Sequence, residues 1–315
     1  MKKYSFDFNT AGMVDFLNAN ADLLLHKIVM DTTEAQYMKV LPGIKYGELV
    51  PVFETGAIDG IATLGNGCGE FSTGTGTTIT MTEVELKVAS YQIEKSWCEA
   101  DLNNTIMSVR LRPGSYGEEV GGGFEQAIMD DVSKKANVFA SRKIWGATTA
   151  VDGVSGLIEQ LQSPSISGSV VNVSYSAITA NAAGVNVVNS YVLNLPDPLK
   201  TIPTILWLNH SDFQAYQLAL VAANLYHFDP IQLANGQMAI RVPFTNTIAV
   251  SCEIGAVGSY AVVSNYDNLL LGTDLLSDIT SPISWYSQDF GQYRMKLVMK
   301  IGAAVAFGSQ VVFAS

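Results

Sequence analysis

Residues 111–158 read LRPGSYGEEVGGGFEQAIMDDVSKKANVFASRKIWGATTAVDGVSGLI, and this stretch carries the marks of one long helix with a defined start and stop. Ser115 and Glu118 stand at capping-box spacing, where the hydroxyl accepts from a free first-turn N–H and the carboxylate reaches back to the cap residue's own N–H. Pro113 keeps the preceding chain out of the helix. Val120, Phe124, Ile128, Val132, Ala136 and Phe139 then recur every three or four residues. Lys134, Lys135, Arg142 and Lys143 crowd the C-terminal half, where cations suit the helix dipole, and Gly146 follows Trp145 as a stop. A helix over 115–145, with its body from 118 on, would be about 42 Å long at 1.5 Å per residue, enough to span a domain. Gly121, Gly122 and Gly123 each cost such a helix about 0.8–1 kcal/mol relative to alanine. Either it begins at Phe124 or it is bendable at the glycines.

The chain has 315 residues, of which 48% are hydrophobic and 15% charged, and its mean hydropathy is +0.22. A chain so apolar and weakly charged is expected to cover much of its surface with neighbouring subunits. No apolar run reaches the length of a membrane span, and MKKYSFDFNT lacks the continuous apolar segment of a signal peptide. The net charge of −11 and pI near 4.7 oppose general affinity for nucleic-acid phosphates. Cys68, Cys98 and Cys252 are odd in number and far apart, which suggests neither disulfides nor a zinc site and fits a reducing compartment.

Ahead of the long helix, Thr10 caps an expected amphipathic arm with Met13, Phe16, Leu17, Leu24 and Ile28 on one face. Residues 43–96 read as two strand-like flanks around a tip, GIATLGNGCGEFSTGTGTT, too rich in Gly, Ser and Thr to hold a core. In the second flank the alternation changes phase between Met81 and Val84 and again between Val88 and Tyr91, which predicts bulges or bends. Flanks of about 15–20 residues at 3.3 Å each would reach roughly 50–65 Å. After the helix, 153–168 reads as a turn-rich connection and 176–195 as a helix stopped by Pro196 and Pro198. ILWLN, 205–209, reads as a buried strand, and Ser211 with Gln214 as a capping box for the next helix. Strand-like runs follow at 239–242, 247–252, 260–263 and 269–271. The final strand is the cleanest: Tyr293, Met295, Leu297, Met299 and Ile301 face one way, and Arg294, Lys296, Val298 and Lys300 the other.

Signals of chemistry are weak. Gly65-Asn66-Gly67-Cys68-Gly69 is followed by a strand and no Gly-Lys-Ser/Thr, so it fails as a phosphate loop. Gly153-Val154-Ser155-Gly156 fails as a nucleophile elbow because Leu157 holds the last glycine position. His26, His210 and His227 have no metal-ligand spacing. The carboxylate pairs Glu83/Glu85, Glu99/Asp101, Glu118/Glu119 and Asp130/Asp131 sit where solvation explains them; two of them acting in an acidic hydrolase is the alternative of a different class. Trp97, Trp145, Trp207 and Trp285 read as core or interface anchors. No catalytic, cofactor-binding or metal-ligating residue is assigned, and the chain is not read as an enzyme.

Taken in order, these parts resemble the major capsid proteins of tailed bacteriophages, an α+β fold shared with encapsulin shells and herpesvirus capsid floors. The resemblance rests on the N-terminal arm, the hairpin with its Gly-rich tip, the spine helix, the turn WGATTAVDGVSGLI, the LPDP and ILWLNHSDF segments and the terminal YRMKLVMKIGAAVAF. It implies an arm over 1–42, an extended loop over 43–96, a peripheral domain over 97–156 and 269–315 with spine helix 115–145, and an axial domain over 157–268. It also implies a structural role: hexamers and pentamers of the chain forming an icosahedral shell around double-stranded DNA, the loop draped over a neighbouring subunit. The partners implied are the chain itself, scaffolding, portal and decoration proteins, and packaged DNA bound without sequence preference, with no membrane and no cofactor. The location implied is the virion, with assembly in the host bacterial cytoplasm. An encapsulin-type compartment is the alternative within the fold. Some members lock their shells by a Lys-to-Asn isopeptide bond from a loop-tip lysine; residues 54–82 contain no lysine, so that chemistry is not carried over. Others carry a long cleaved N-terminal scaffolding region; the short arm here predicts a separate scaffold or none. In such shells the spine helix changes curvature on maturation, which makes Gly121 to Gly123 a candidate bend.

Overall fold

A computed structural model describes residues 32–44, 47–55, 79–98, 123–146, 154–225, 231–232, 238–256, 258–273, 283–290 and 292–315. Helix α1 (Thr33–Tyr37) leads into β1 (Lys39–Pro42), β2 (Glu48–Thr55), β3 (Ile79–Leu86), β4 (Ala89–Cys98) and the long helix α2 (Gly123–Trp145). Then come α3 (Leu157–Gln162), α4 (Pro164–Ser167), β5 (Val171–Val173), α5 (Ala182–Leu193), α6 (Asp197–Lys200), β6 (Thr204–Asn209) and α7 (His210–Ala222). Eight strands follow: β7 (Ile231–Gln232), β8 (Met238–Arg241), β9 (Thr247–Cys252), β10 (Ala261–Asn265), β11 (Leu269–Thr273), β12 (Ile283–Ser287), β13 (Gln292–Val305) and β14 (Val312–Ala314).

The strands form three sheets. Seven pair in the order β5-β14-β10-β6-β9-β8-β7, five more run β1-β11-β13-β12 with β4 on the far edge of β13, and β2 with β3 forms a separate ribbon. Strand β13 organises the five-stranded sheet, because its alternation buries Met295, Leu297, Met299 and Ile301 on one side, as the sequence predicts. Against that side lies α2, through Val132, Ala136 and Ala140. The last turn of α2 passes under the seven-stranded sheet, where Trp145 meets Trp207 of β6 with ring centroids 5.3 Å apart. A single apolar core therefore runs from one sheet to the other along the helix. The far side of the seven-stranded sheet is covered by α5 and α7, whose Val185, Val188, Phe213 and Tyr216 pack over Leu206, Leu208 and Val263.

The chain passes between the sheets after β10 and again after β13, and Asn268 ties the two crossings together. Its side chain donates to Ser264 Oγ (2.9 Å) and Phe307 O (3.0 Å) and accepts from Phe307 N (2.7 Å). Strand β14 thus ends in the seven-stranded sheet, with residues 157–268 rather than with β11 and β13.

Several expectations need correction. The helix runs to Trp145 as predicted and is already helical at Gly123, so it does not begin at Phe124. Its 23 described residues span about 34 Å. The Ser115–Glu118 cap, Gly121 and Gly122 lie outside the described residues, as do residues 1–31 of the 1–42 arm and the whole Gly-rich tip over 60–78. The second hairpin flank is two strands: the chain breaks at Lys87–Val88, β3 pairs with β2, and β4 pairs with β13. The β2–β3 register is unbroken from Glu48↔Leu86 to Thr55↔Ile79, so no bulge lies between Met81 and Val84. With 8 residues in each strand, the described part of the ribbon reaches about 26 Å, and the remainder of the hairpin expected to reach 50–65 Å lies outside the described residues. Within 153–168 the apolar triplet Leu157, Ile158 and Leu161 is fully buried and makes helix α3 out of the expected turns, and Pro164 opens the short exposed helix α4 after it. Helix α5 starts at Ala182, capped by Asn181 rather than from Ser176. Helix α7 is capped by Asn209, whose side chain accepts from Asp212 N at 2.7 Å, two residues before the predicted Ser211.

The hand-off from ribbon to sheet depends on a close approach. A Cβ on Gly302 of β13 would sit 1.9 Å from the carbonyl oxygen of Lys87, so only glycine lets the chain cross there. Leu86 and Val88 on either side of the crossing pack with Ile44, Leu270 and Ala304 in a small separate cluster. Gly302→Ala is expected to cost about 1–3 kcal/mol by forcing the strands apart. The check is a lower urea midpoint together with faster proteolysis around Lys87.

Candidate assembly surfaces

The described residues gather no cluster of three or more His, Cys, Asp or Glu able to hold a metal ion. Glu83 and Glu85 lie exposed on the ribbon, and Asp131 on α2 pairs with Lys135 at 2.7 Å. These pairs stand on different elements and do not converge. Glu99/Asp101 and Glu118/Glu119 lie outside the described residues, as do Cys68, His26 and His227. Cys252 is buried and its thiol meets Leu208 O at 3.5 Å; burial, helped by the nearby Glu34 charge, raises its pKa well above the ordinary thiol value. Trp145 and Trp207 are core residues and Trp97 packs partly buried against the same core, while Trp285 is exposed. No described helix is long and apolar enough to cross a membrane.

What the structure offers instead is surfaces and the joints that hold them. The first joint was not visible in sequence. Glu34 of α1 is buried, and its carboxylate accepts from Ser141 Oγ and from Trp145 Nε1 (2.8 Å), both on α2. Burial pushes its pKa above the ordinary carboxylate value; the bonds from Ser141, its own backbone and Trp145 oppose the rise, and the Glu253 charge adds to it. Thr32 caps α1 by accepting from Ala35 N, so the segment enters the core already shaped. Nearby, Glu253 bridges Arg142 of α2 (3.0 Å) and His210 at the start of α7 (3.3 Å), linking the spine helix to the outer helix layer.

The second joint closes a sheet edge. Strand β4 stops pairing with β13 at Ile301, which leaves residues 303–305 open on that side. Gln160 fills the gap: its Nε2 donates to Ala303 O (2.7 Å) and its Oε1 accepts from Val305 N (3.1 Å), as a neighbouring strand would. Between this edge and the ribbon lies a cleft of about 320 Å³ lined by Glu83, Glu85, Lys87, Ser155, Gln160 and Ile166.

The third feature is the outer face of α5 and α7. No charged residue occurs between Glu159 and Asp197, and in α7 the one carboxylate, Asp212, is turned inward. There it accepts from Tyr175 Oη (2.6 Å) and Asn209 Nδ2 (2.7 Å), and burial together with that carboxylate raises the Tyr175 phenol. A Cβ on Gly184 would lie 3.1 Å from Ala219 Cβ, so the start of α5 rests on the end of α7. Ala182, Ala183, Leu218, Val221 and Ala222 therefore form one exposed patch without charge, in which Leu218 and Val221 are each 58% exposed.

No protein-family model matches the sequence, and no curated protein matches it. Solved structures do match. The capsid of a native GTA particle superposes with a TM-score of 0.55 over 90% of this chain and 89% of that one, at 11% identity. The capsid of the empty GTA particle gives 0.54 over the same shares, also at 11%. The procapsid of satellite phage P4, which includes a size determination protein, gives 0.50 over 93% and 98%, at 10% identity. The chain has the α+β fold of phage-type major capsid proteins, as its sequence resemblance implies.

The Glu34 joint gives the fold a pH dependence of known sign. Its folded pKa lies above the unfolded value near 4.5, so its contribution is complete below about pH 4.5 and is lost as pH rises through the folded value. Glu34→Gln, which keeps an acceptor for Ser141 and Trp145 and cannot ionise, is expected to shrink the difference in unfolding free energy between pH 5 and pH 8. Glu34→Ala should lower stability at both by about 1–3 kcal/mol, because two buried donors lose their acceptor. Urea titrations at the two pH values make the measurement.

Proposed function

We propose that this chain is a structural major capsid protein, assembling with copies of itself as hexamers and pentamers into an icosahedral shell that encloses double-stranded DNA. In this reading the seven-stranded sheet with α5 and α7 is the core of an axial domain over 157–268, joined by β14. The spine helix and the five-stranded sheet make the peripheral domain, the ribbon is the base of an extended loop, and 1–42 is an arm. The chain acts through its surfaces and not as an enzyme, and its location is the virion, assembled in the host cytoplasm. A separate scaffolding protein, a portal and decoration proteins are further partners.

The observation that carries the reading is the uncharged outer face of α5 and α7 on a chain of net charge −11. A helix layer without charge is unusual on the surface of a monomer, and copies of one acidic chain repel each other less across a neutral face than across an acidic one. The capsid fold over some nine-tenths of the chain supports the same conclusion.

Electron microscopy of the expressed protein is the direct test, with closed particles expected and a dispersed monomer overturning the shell reading. Particles from the native source should hold double-stranded DNA; DNA-free particles filled with an enzyme would favour a compartment. Leu218→Glu with Val221→Glu changes only exposed side chains, so the subunit should keep its melting temperature while particle yield falls at least about tenfold, as expected for like charges forced together.

A further inference from the structure

The short segment that carries Glu34 is held to the body by few contacts. Helix α1 has five residues, too short to persist in water without a partner. Its apolar hold is modest: Ala35 and Tyr37 are only partly buried, and Tyr37 meets Trp207 edge-on with ring centroids 6.2 Å apart. The main tie is polar, from the buried Glu34 carboxyl to Ser141 and Trp145 of α2. Beyond α1 the chain is fixed by other means. Met38 is fully buried in extended backbone, and β1 pairs with β11 through four residues. The chain between Tyr37 and Met38 is thus a joint across which α1 can leave while β1 stays.

Both donors on Glu34 are neutral, and among the described residues no Lys, Arg or His forms an ion pair with it. The titratable groups around it come from each element packed near α1. Cys252 of β9 lies close enough for its thiol to feel the Glu34 charge, and Glu253, in the 3-10 turn after β9, brings a like charge toward Glu34. Glu253 is in turn bridged by Arg142 of α2 and His210 of α7. Strand β6 presents the uncharged Trp207, and Tyr37 is the other titratable side chain of α1 itself. Ionised, Glu34 is a buried anion with a like charge nearby and no cation of its own; protonated, it is a neutral group that accepts two hydrogen bonds.

We propose that α1 is a pH-sensitive latch: with Glu34 protonated it lies docked against α2 and Trp207, and ionisation of Glu34 releases it while β1 stays paired with β11. The sign follows from where the proton is held. Undocked, the carboxyl titrates near its ordinary 4.5; docked, burial holds its pKa higher and the Glu253 charge adds to the rise. Docking is therefore strongest below about pH 4.5 and weakens, by up to about tenfold per pH unit, as pH rises through the docked value. Release takes the acceptor from Trp145 and the Tyr37 ring from Trp207, which loosens the aromatic pair between the spine helix and the seven-stranded sheet. The latch lies within a single chain and does not depend on the shell reading.

Hydrogen exchange separates the latch from the stability of the whole fold. In the full chain, the protection of residues 32–38, corrected for the intrinsic pH dependence of exchange, is expected to fall at least about tenfold between pH 5 and pH 8 while that of β6 and β9 stays level. An equal fall in all three segments, or none in 32–38, overturns the proposal. Glu34→Gln should abolish the fall, and a fall that persists in it refutes the latch. Glu253→Gln should shrink the fall and Arg142→Ala enlarge it, because the first removes the like charge near Glu34 and the second leaves that charge less opposed. These two variants decide the matter even if Glu34→Gln does not fold; the opposite order, or no change in either, counts against the latch. The fall should survive both Cys252→Ala and His210→Ala. Its loss in either variant assigns the titration to another group and sinks the role given to Glu34.

Discussion

The molecule turns on the burial of the last turns of the spine helix between two sheets. Trp145 is the pivot: fully buried, it packs tilted against Trp207 of one sheet and donates its indole N–H to Glu34, while Ala140 and Ala136, about one and a half and two and a half turns earlier, press on β13 of the other. A helix that ended two residues sooner would take Trp145 away from Trp207 and leave Glu34 with Ser141 as its one donor on α2. Because the same helix buries residues against both sheets, neither sheet can shift without the other, and the charge bridge Arg142–Glu253–His210 adds a polar tie at the same end. Those side chains are partly exposed, so the bridge adds little stability beside the aromatic packing and serves chiefly to fix orientation.

Rigidity at this centre contrasts with the sparse attachment of the ribbon. Its root is held by Leu86 and Val88 over Gly302, Leu270 and Ala304, and the rest of its pairing is internal to β2 and β3. A two-stranded ribbon is marginal by itself in water, so an element of this kind depends on being covered by something outside its own fold. The uncharged layer of α5 and α7 shows the same dependence in another form. Its polar demands are met inwardly, with Asp212 taken up by Tyr175 and Asn209 and the Tyr191 hydroxyl by the backbone of Ser176, which frees the outer surface of charge.

Much of this was legible in the sequence where periodicity is strong. The two-residue alternation of β13 and the solid apolar run of ILWLN fixed both strands, and the long helix stopped at Trp145 where Gly146 predicts. The misreadings came where a local pattern admits two solutions. Ser211-x-x-Gln214 and Asn209-x-x-Asp212 both fit a cap, and the earlier one wins because strand β6 ends at Asn209 and delivers it to the turn. The two phase changes in the second hairpin flank have separate causes. One is a change of apolar face along an unbroken ribbon; the other follows a transfer of the chain from ribbon to sheet, which a single strand pattern cannot announce. Glu34 and Gln160 were invisible for a different reason. In TTEAQY and LIEQLQ each looks like an ordinary surface residue, and only partners more than a hundred positions away give them their roles.

Those two side chains also bear on why the assembly surfaces can be so exposed without provoking uncontrolled association. Gln160 satisfies the open edge of β13 with a side-chain amide, so the one long strand of the molecule presents no bare ladder beside the ribbon root. What is left exposed is then either neutral and helical, as on α5 and α7, or charged, as along β13 and β4. The outer edge of β4 has no partner strand among the described residues, and the exposed Glu94 and Lys95 put charge along it. In the proposed shell, contacts made through side chains on such faces would depend on geometry and salt in a way that backbone pairing does not. A shell subunit needs bonds of that kind, strong in number and individually reversible, because a misplaced copy has to be able to leave.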